Sequence, residues 1–120
     1  MNRVNRIKKK SILGYIKKVK KRISNPENWI KGCLSRNKDG EEVDSFDEGA
    51  VSFCIVGALQ KEMKENYFKN FSKYEDCLEF LNGCTGGVVE YNDRETIKHH
   101  HVMKKLDSII NNLEKELCEK

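Results

Sequence analysis

The sequence predicts a mainly α-helical fold, a small single-domain bundle of about four helices with at most one short β-hairpin. Three observations carry that expectation. Ile12, Ile16, Val19 and Ile23 recur at i, i+4, i+7 and i+11, which is one helix face. Val102, Leu106, Ile109, Ile110, Leu113 and Leu117 form a second such stripe near the C-terminus. Between them, "SFDE" at 45–48 matches a capping box directly ahead of the most apolar stretch. The 120 residues suit one core, and a single proline argues against wholesale disorder.

Taken in order, residues 1–10 (MNRVNRIKKK) read as a basic lead and residues 11–120 as one helical domain. A helix begins near Ser11 and is stopped by Pro26, with lysines in its last turns suiting the negative end of its dipole. Residues 29–44 read as a connection. "NKDG" at 37–40 is a turn signal between CLSR and EEV, which fits a small hairpin. A helix from about 46 to 65 comes after the capping box. Its first half is apolar all round, the mark of a central helix. Gly57 and Ala58 would let a neighbouring backbone come close. The β-branched content of VSFCIV makes a strand the competing reading.

Tyr74, Cys77, Leu78 and Leu81 share a face of a helix over 71–81, which "NGCTGG" ends. "VVEY" at 88–91 is β-prone. The last helix spans about 95–117, with Asp93 as its N-cap.

The net charge of +4 hides an asymmetry. Ten of the 23 basic residues fall in residues 1–22, with no acid among them. The rest of the chain holds 13 basic against 19 acidic residues, a balance of −6. A basic segment on an acidic body points to a docking surface for polyanions. Lys17, Lys18, Lys20, Lys21 and Arg22 are its candidate contacts, toward nucleic-acid phosphates or an acidic protein surface. Tyr15 is the only aromatic there, so base stacking has little support. The apolar face of the same helix suits an anionic membrane surface or the protein's own core.

No apolar run approaches the roughly 18 residues of a membrane span, and no apolar stretch comes after the basic N-terminus as in a secretory signal. Five cysteines, an odd number without C-x-x-C spacing, suggest free thiols in a reducing cytoplasm. His99, His100 and His101 are adjacent. On a helix they point about 100° apart and cannot all bind one metal. No metal or cofactor is expected.

Catalysis would need Cys54, in "AVSFCIVGAL", as nucleophile. His99 would be its base, with Asn92 or Asp93 orienting the imidazole. The predicted capping box puts Cys54 in the third turn of a helix, beyond the reach of its dipole and among apolar neighbours. Asn92 and Asp93 equally suit backbone capping, and one histidine facing Asp93 suits a structural hydrogen bond.

A wider pattern joins these residues. Trp29, "KDGEEVD", "A-V-x-F-C-I-x-G-A-L", Tyr91-Asn92-Asp93 and His99-x-x-Val102 occur in that order over about residues 11–115. The chain thereby resembles a family of small uncharacterised bacterial and phage proteins, a domain of unknown function. It departs from the pattern at Lys98, where a threonine is usual, and it adds His100 and His101. The resemblance implies that the first helix belongs to the domain. It marks Cys54, Asn92, Asp93 and His99 and implies no reaction. The expected function is a non-enzymatic interaction or regulatory module in a bacterial or phage-infected cytoplasm, acting through its basic helix. The alternative is a cysteine-dependent hydrolase or transferase using Cys54 and His99.

Overall fold

The computed structural model describes residues 2–118 and contains six helices and one two-stranded sheet. Helix α1 runs unbroken over Arg3–Arg22, with the Asn2 side chain accepting from the Asn5 amide at its start. Residues 3–10 are therefore helical and continuous with the remainder of α1. Arg6 donates to the Leu117 carbonyl and Lys9 pairs with Glu116 at 2.6 Å. A 3-10 turn over Pro26–Asn28 comes next. Strand β1 (Ser35–Asn37) pairs antiparallel with β2 (Ala50–Phe53). Helices α2 (Ile55–Glu62), α3 (Lys64–Lys69), α4 (Phe71–Thr85), α5 (Val88–Asp93) and α6 (His99–Cys118) complete the fold.

Helix α1 lies between α6 and α2. Its face of Ile12, Ile16, Val19 and Ile23 is buried, as its spacing predicts. The same buried core holds Leu59 and Met63, Leu81 of α4, and Leu106 and Leu113 of α6. The apolar face of the basic helix is thus consumed by the core. Among the described residues no helix is long and apolar enough to cross a membrane.

Three expectations are corrected. The helix predicted from residue 46 begins at Ile55, and the residues ahead of it form turns and a strand. Ser45 does not cap a helix. Its hydroxyl donates to the Gln60 side chain, while Asp44 and Asp47 carboxylates accept from the Phe46 and Gly49 amides, tightening two successive turns. The strand reading of VSFCIV thus holds through Phe53 and the helix reading takes over after Cys54. "VVEY" is helical rather than β. Gly86, at φ +77°, reverses the chain after α4, and the Asn82 side chain accepts from the Val88 amide as the next helix starts. Asp93 ends α5 instead of capping the last helix, which starts at His99.

The hairpin also differs in partner. The turn at 37–40 forms, with the Gly40 amide donating to the Asn37 carbonyl at 3.0 Å, and Arg36 bridges Glu42. The longer ladder, however, is β1 with β2. Its register shifts so that Val51 is an extra residue on β2, a β-bulge.

Candidate functional site

Cys54 stands at the junction of β2 and α2, as the N-cap of α2. Its own amide donates to the Leu34 carbonyl at 3.1 Å, extending the ladder by one residue. Its sulfur accepts from the Gly57 amide at 3.3 Å, the place a serine or aspartate oxygen usually takes in a cap. The predicted position in a third turn is therefore wrong, and the thiol does face helix amides. Burial nonetheless dominates. The side chain is 5% exposed, and desolvation raises the thiol above its ordinary value. The Gly57 and Val56 amides pull it down less than burial pushes it up. At neutral pH it is the protonated, unreactive form.

Asn92 explains why this junction holds together. It is 1% exposed, and its carboxamide oxygen accepts from Trp29 Nε1 at 2.8 Å and from the Ile55 amide at 3.1 Å. Its nitrogen donates to the Ile30 carbonyl at 3.0 Å and to the Asp93 carboxylate at 2.9 Å. Every donor and acceptor of the side chain is used. Asp93 in turn accepts from the Gly32 amide at 3.0 Å. Two adjacent side chains on α5 thereby tie the Trp29–Gly32 segment to the first turn of α2. The capping role expected for this pair is present, but it serves α2 and the loop.

His99 sits elsewhere in the hydrogen-bond network. Its Nε2 bonds the Ile23 carbonyl at 2.8 Å, and because a carbonyl only accepts, Nε2 carries the proton. Its ring lies 6.0 Å from that of Trp29. The expected bond from a histidine to Asp93 is replaced by this one, and by the Lys98 amide donating to His101 Nδ1 at 2.9 Å. Among the described residues Cys54 and His99 share no hydrogen bond. The structure brings Cys54, Asn92 and Asp93 to one junction and uses His99 to fasten α6 to the end of α1. No group of three or more His, Cys, Asp or Glu side chains among the described residues is arranged to hold a metal ion.

The five candidate cations of α1 divide into two sets. Lys17 pairs with Glu114 at 3.2 Å, Lys20 with Asp107 and Arg22 with Glu62. These charges are neutralised by the acidic body. Lys18 and Lys21 have no ion-pair partner among the described residues. Both line a cleft of about 700 Å³ with Arg22, its partner Glu62, Asn28, Ala50, Val51 and Phe53. The Arg22 guanidinium lies 5.4 Å from the centre of the Phe53 ring, in cation–π range. Val51, the bulged residue, is exposed at the cleft. The cleft thus presents two unpaired ammonium groups, and the one carboxylate on its wall, Glu62, is already paired with Arg22. Reading residues 46–65 as one helix hid the contributions of Val51 and Phe53, since a bulge leaves no periodic signal.

Residues 9–112 match the model of DUF6197, described as a family of unknown function. No curated protein and no solved structure matches the chain.

Proposed function

This chain belongs to the DUF6197 family, and we propose that it is a non-enzymatic interaction module whose C-terminal half of α1 takes a polyanionic partner. Its partner is an acidic protein surface or a run of nucleic-acid phosphates. The observation that carries the reading is the division of the α1 cations. Three are spent inside the fold, while Lys18 and Lys21 face a cleft of about 700 Å³, a volume within the usual ligand-site range. Both ammonium groups are exposed and keep their charge, while the Glu62 carboxylate in the same cleft is taken up by Arg22. In this reading the protein works in a reducing cytoplasm, which its five free thiols suit, and acts on a host protein or nucleic-acid complex in a bacterial or phage-infected cell.

The test is charge reversal. Lys18→Glu with Lys21→Glu should weaken binding of a polyglutamate peptide or a duplex oligonucleotide by about tenfold or more, with the melting temperature little changed. A control pair, Lys38→Glu with Lys73→Glu, makes the same net-charge change away from the cleft and should leave most of the binding intact. Equal loss in both pairs, or no loss in the first, refutes the reading.

A further inference from the structure

We infer that the polyanion is double-stranded nucleic acid, gripped through its phosphates at the end of the molecule where α1 finishes and α6 begins. This rests on the α1 reading and adds to it a second set of cations outside residues 1–22. Lys31, Arg94, Lys98, Lys104 and Lys105 have no ion-pair partner among the described residues. The Lys31 ammonium donates to the Arg94 carbonyl at 2.6 Å and sits 5.6 Å from the Trp29 ring centre, which orders the side chain without cancelling its charge. Lys104 and Lys105 line a cleft of about 320 Å³ with His101 and Ser108. His101 also registers the positive field. Its protonated form is disfavoured by partial burial and then by His100, Lys98, Lys104 and Lys31.

The two sets share one end of the bundle. The His99–Ile23 hydrogen bond clamps the first residue of α6 to the residue after α1. Lys21 lines both the α1 cleft and a further one of about 390 Å³ that holds Ser24 and Asp107, between α1 and α6. Cations therefore stand on α1 just ahead of Ile23 and on the start of α6 just after His99, the two residues that hydrogen bond joins, with Lys31, Arg94 and Lys98 in the loops between. A single acidic peptide in one cleft meets only one of these sets, whereas a phosphate backbone offers charge at regular intervals to both.

The aromatic residues favour duplex over single strand. Trp29 gives its Nε1 to Asn92, Tyr91 its hydroxyl to the His101 carbonyl, and Tyr15 its hydroxyl to Asn66. Each is half-buried or buried and so committed, and the exposed rings Phe68 and Phe71 belong to α3 and α4 rather than to the segments that carry these cations, so splayed bases find no platform beside them. The contact is then with the backbone and independent of sequence.

Fluorescence anisotropy of the full chain tests this with three labelled probes: a short mixed-sequence duplex, its single strand, and a polyglutamate peptide. Four phosphate contacts, from Lys18, Lys21, Lys98 and Lys104, give a log-affinity against log-salt slope of about −3.6 for the duplex. Lys98→Glu with Lys104→Glu, and separately Lys18→Glu with Lys21→Glu, should each reduce that slope by about 1.8. A glutamate ahead of α6 suits the helix dipole, so the first pair should fold, and its melting curve checks this. Duplex binding untouched by Lys98→Glu with Lys104→Glu overturns the inference. Tighter binding of the single strand also overturns it. Polyglutamate binding that depends on Lys18 and Lys21, without duplex binding, overturns it while sparing the α1 reading. Binding of none of the probes removes both.

Discussion

Replacing Gly57 by alanine should destabilise the protein, although alanine is the better helix former. A Cβ built at Gly57 falls 1.9 Å from the Leu34 carbonyl oxygen, 2.8 Å from its carbon and 3.3 Å from its Cα. These are backbone atoms, so no rotamer change relieves the clash. Reaching even 3.0 Å requires a shift of about 1.1 Å between Leu34, just ahead of β1, and α2. The Leu34 oxygen also accepts from the Cys54 amide at 3.1 Å, and that bond is strained by the same shift. Overpacking costs about 1–3 kcal/mol and a lost hydrogen bond about 1 kcal/mol, against roughly 1 kcal/mol gained in helix propensity. The net loss is about 1–3 kcal/mol. For a chain of this length 1 kcal/mol moves the melting temperature by about 4 °C, so a fall of about 4–12 °C is expected. Gly14→Ala and Gly83→Ala are the controls. Both lie in helices with nothing within 4 Å of the added Cβ, and both should raise stability by about 0.5–1 kcal/mol. Thermal melts by circular dichroism read all three. If Gly57→Ala behaves like the controls, the close approach of the Leu34 backbone to α2 is not as described.

Asn92→Ala should cost about 2–4 kcal/mol in urea unfolding, because it strands the Trp29 indole N–H and the Ile55 amide; a cost under about 1 kcal/mol would deny its role as a buried hub. Iodoacetamide near neutral pH should label the exposed Cys118 first, and Cys54 and Cys77 only on unfolding, because burial raises both buried thiols, that of Cys77 to about 11. Early labelling of Cys54 would revive the cysteine-enzyme alternative. His101 sits below the ordinary histidine value in the fold, so the unfolded chain takes up its proton first. Its contribution to stability is present above about pH 6.5 and is lost as pH falls through the lower folded value. Protonation also removes the Nδ1 lone pair that accepts the Lys98 amide. Melting temperature should therefore fall between about pH 7.5 and about 5.5, and fall less in His101→Gln; identical falls in both would remove His101 as a cause.

The outer helices were legible because each keeps one apolar face over many turns. The burial of Ile16 and Val19 on α1, and of Leu106 and Leu113 on α6, comes directly from that spacing. The middle was not, because one apolar run serves two elements. Ala50–Phe53 is strand and Ile55–Glu62 is helix, and Cys54 between them carries no local signal of the change. The close packing permitted by Gly57 was readable as a possibility, while its partner Leu34 was not. The site divides in the same way. Cys54, Asn92 and Asp93 stood out by residue type. Their roles depend on Trp29, Ile30 and Gly32, which lie far from Asn92 and Asp93 in sequence, and no local pattern reports them. The neutralisation of Lys17, Lys20 and Arg22 depends on acids of α6 and α2 for the same reason. The cations at the start of α6 were passed over because charge was counted by chain segment, whereas the fold gathers it by position.

The most direct measurement is amide chemical-shift mapping of the native protein titrated with the mixed-sequence duplex. The account predicts shifts gathered in residues 18–31 and 94–105, fading as salt rises. Shifts centred instead on Cys54, or on the exposed aromatic residues Phe68 and Phe71, would contradict it.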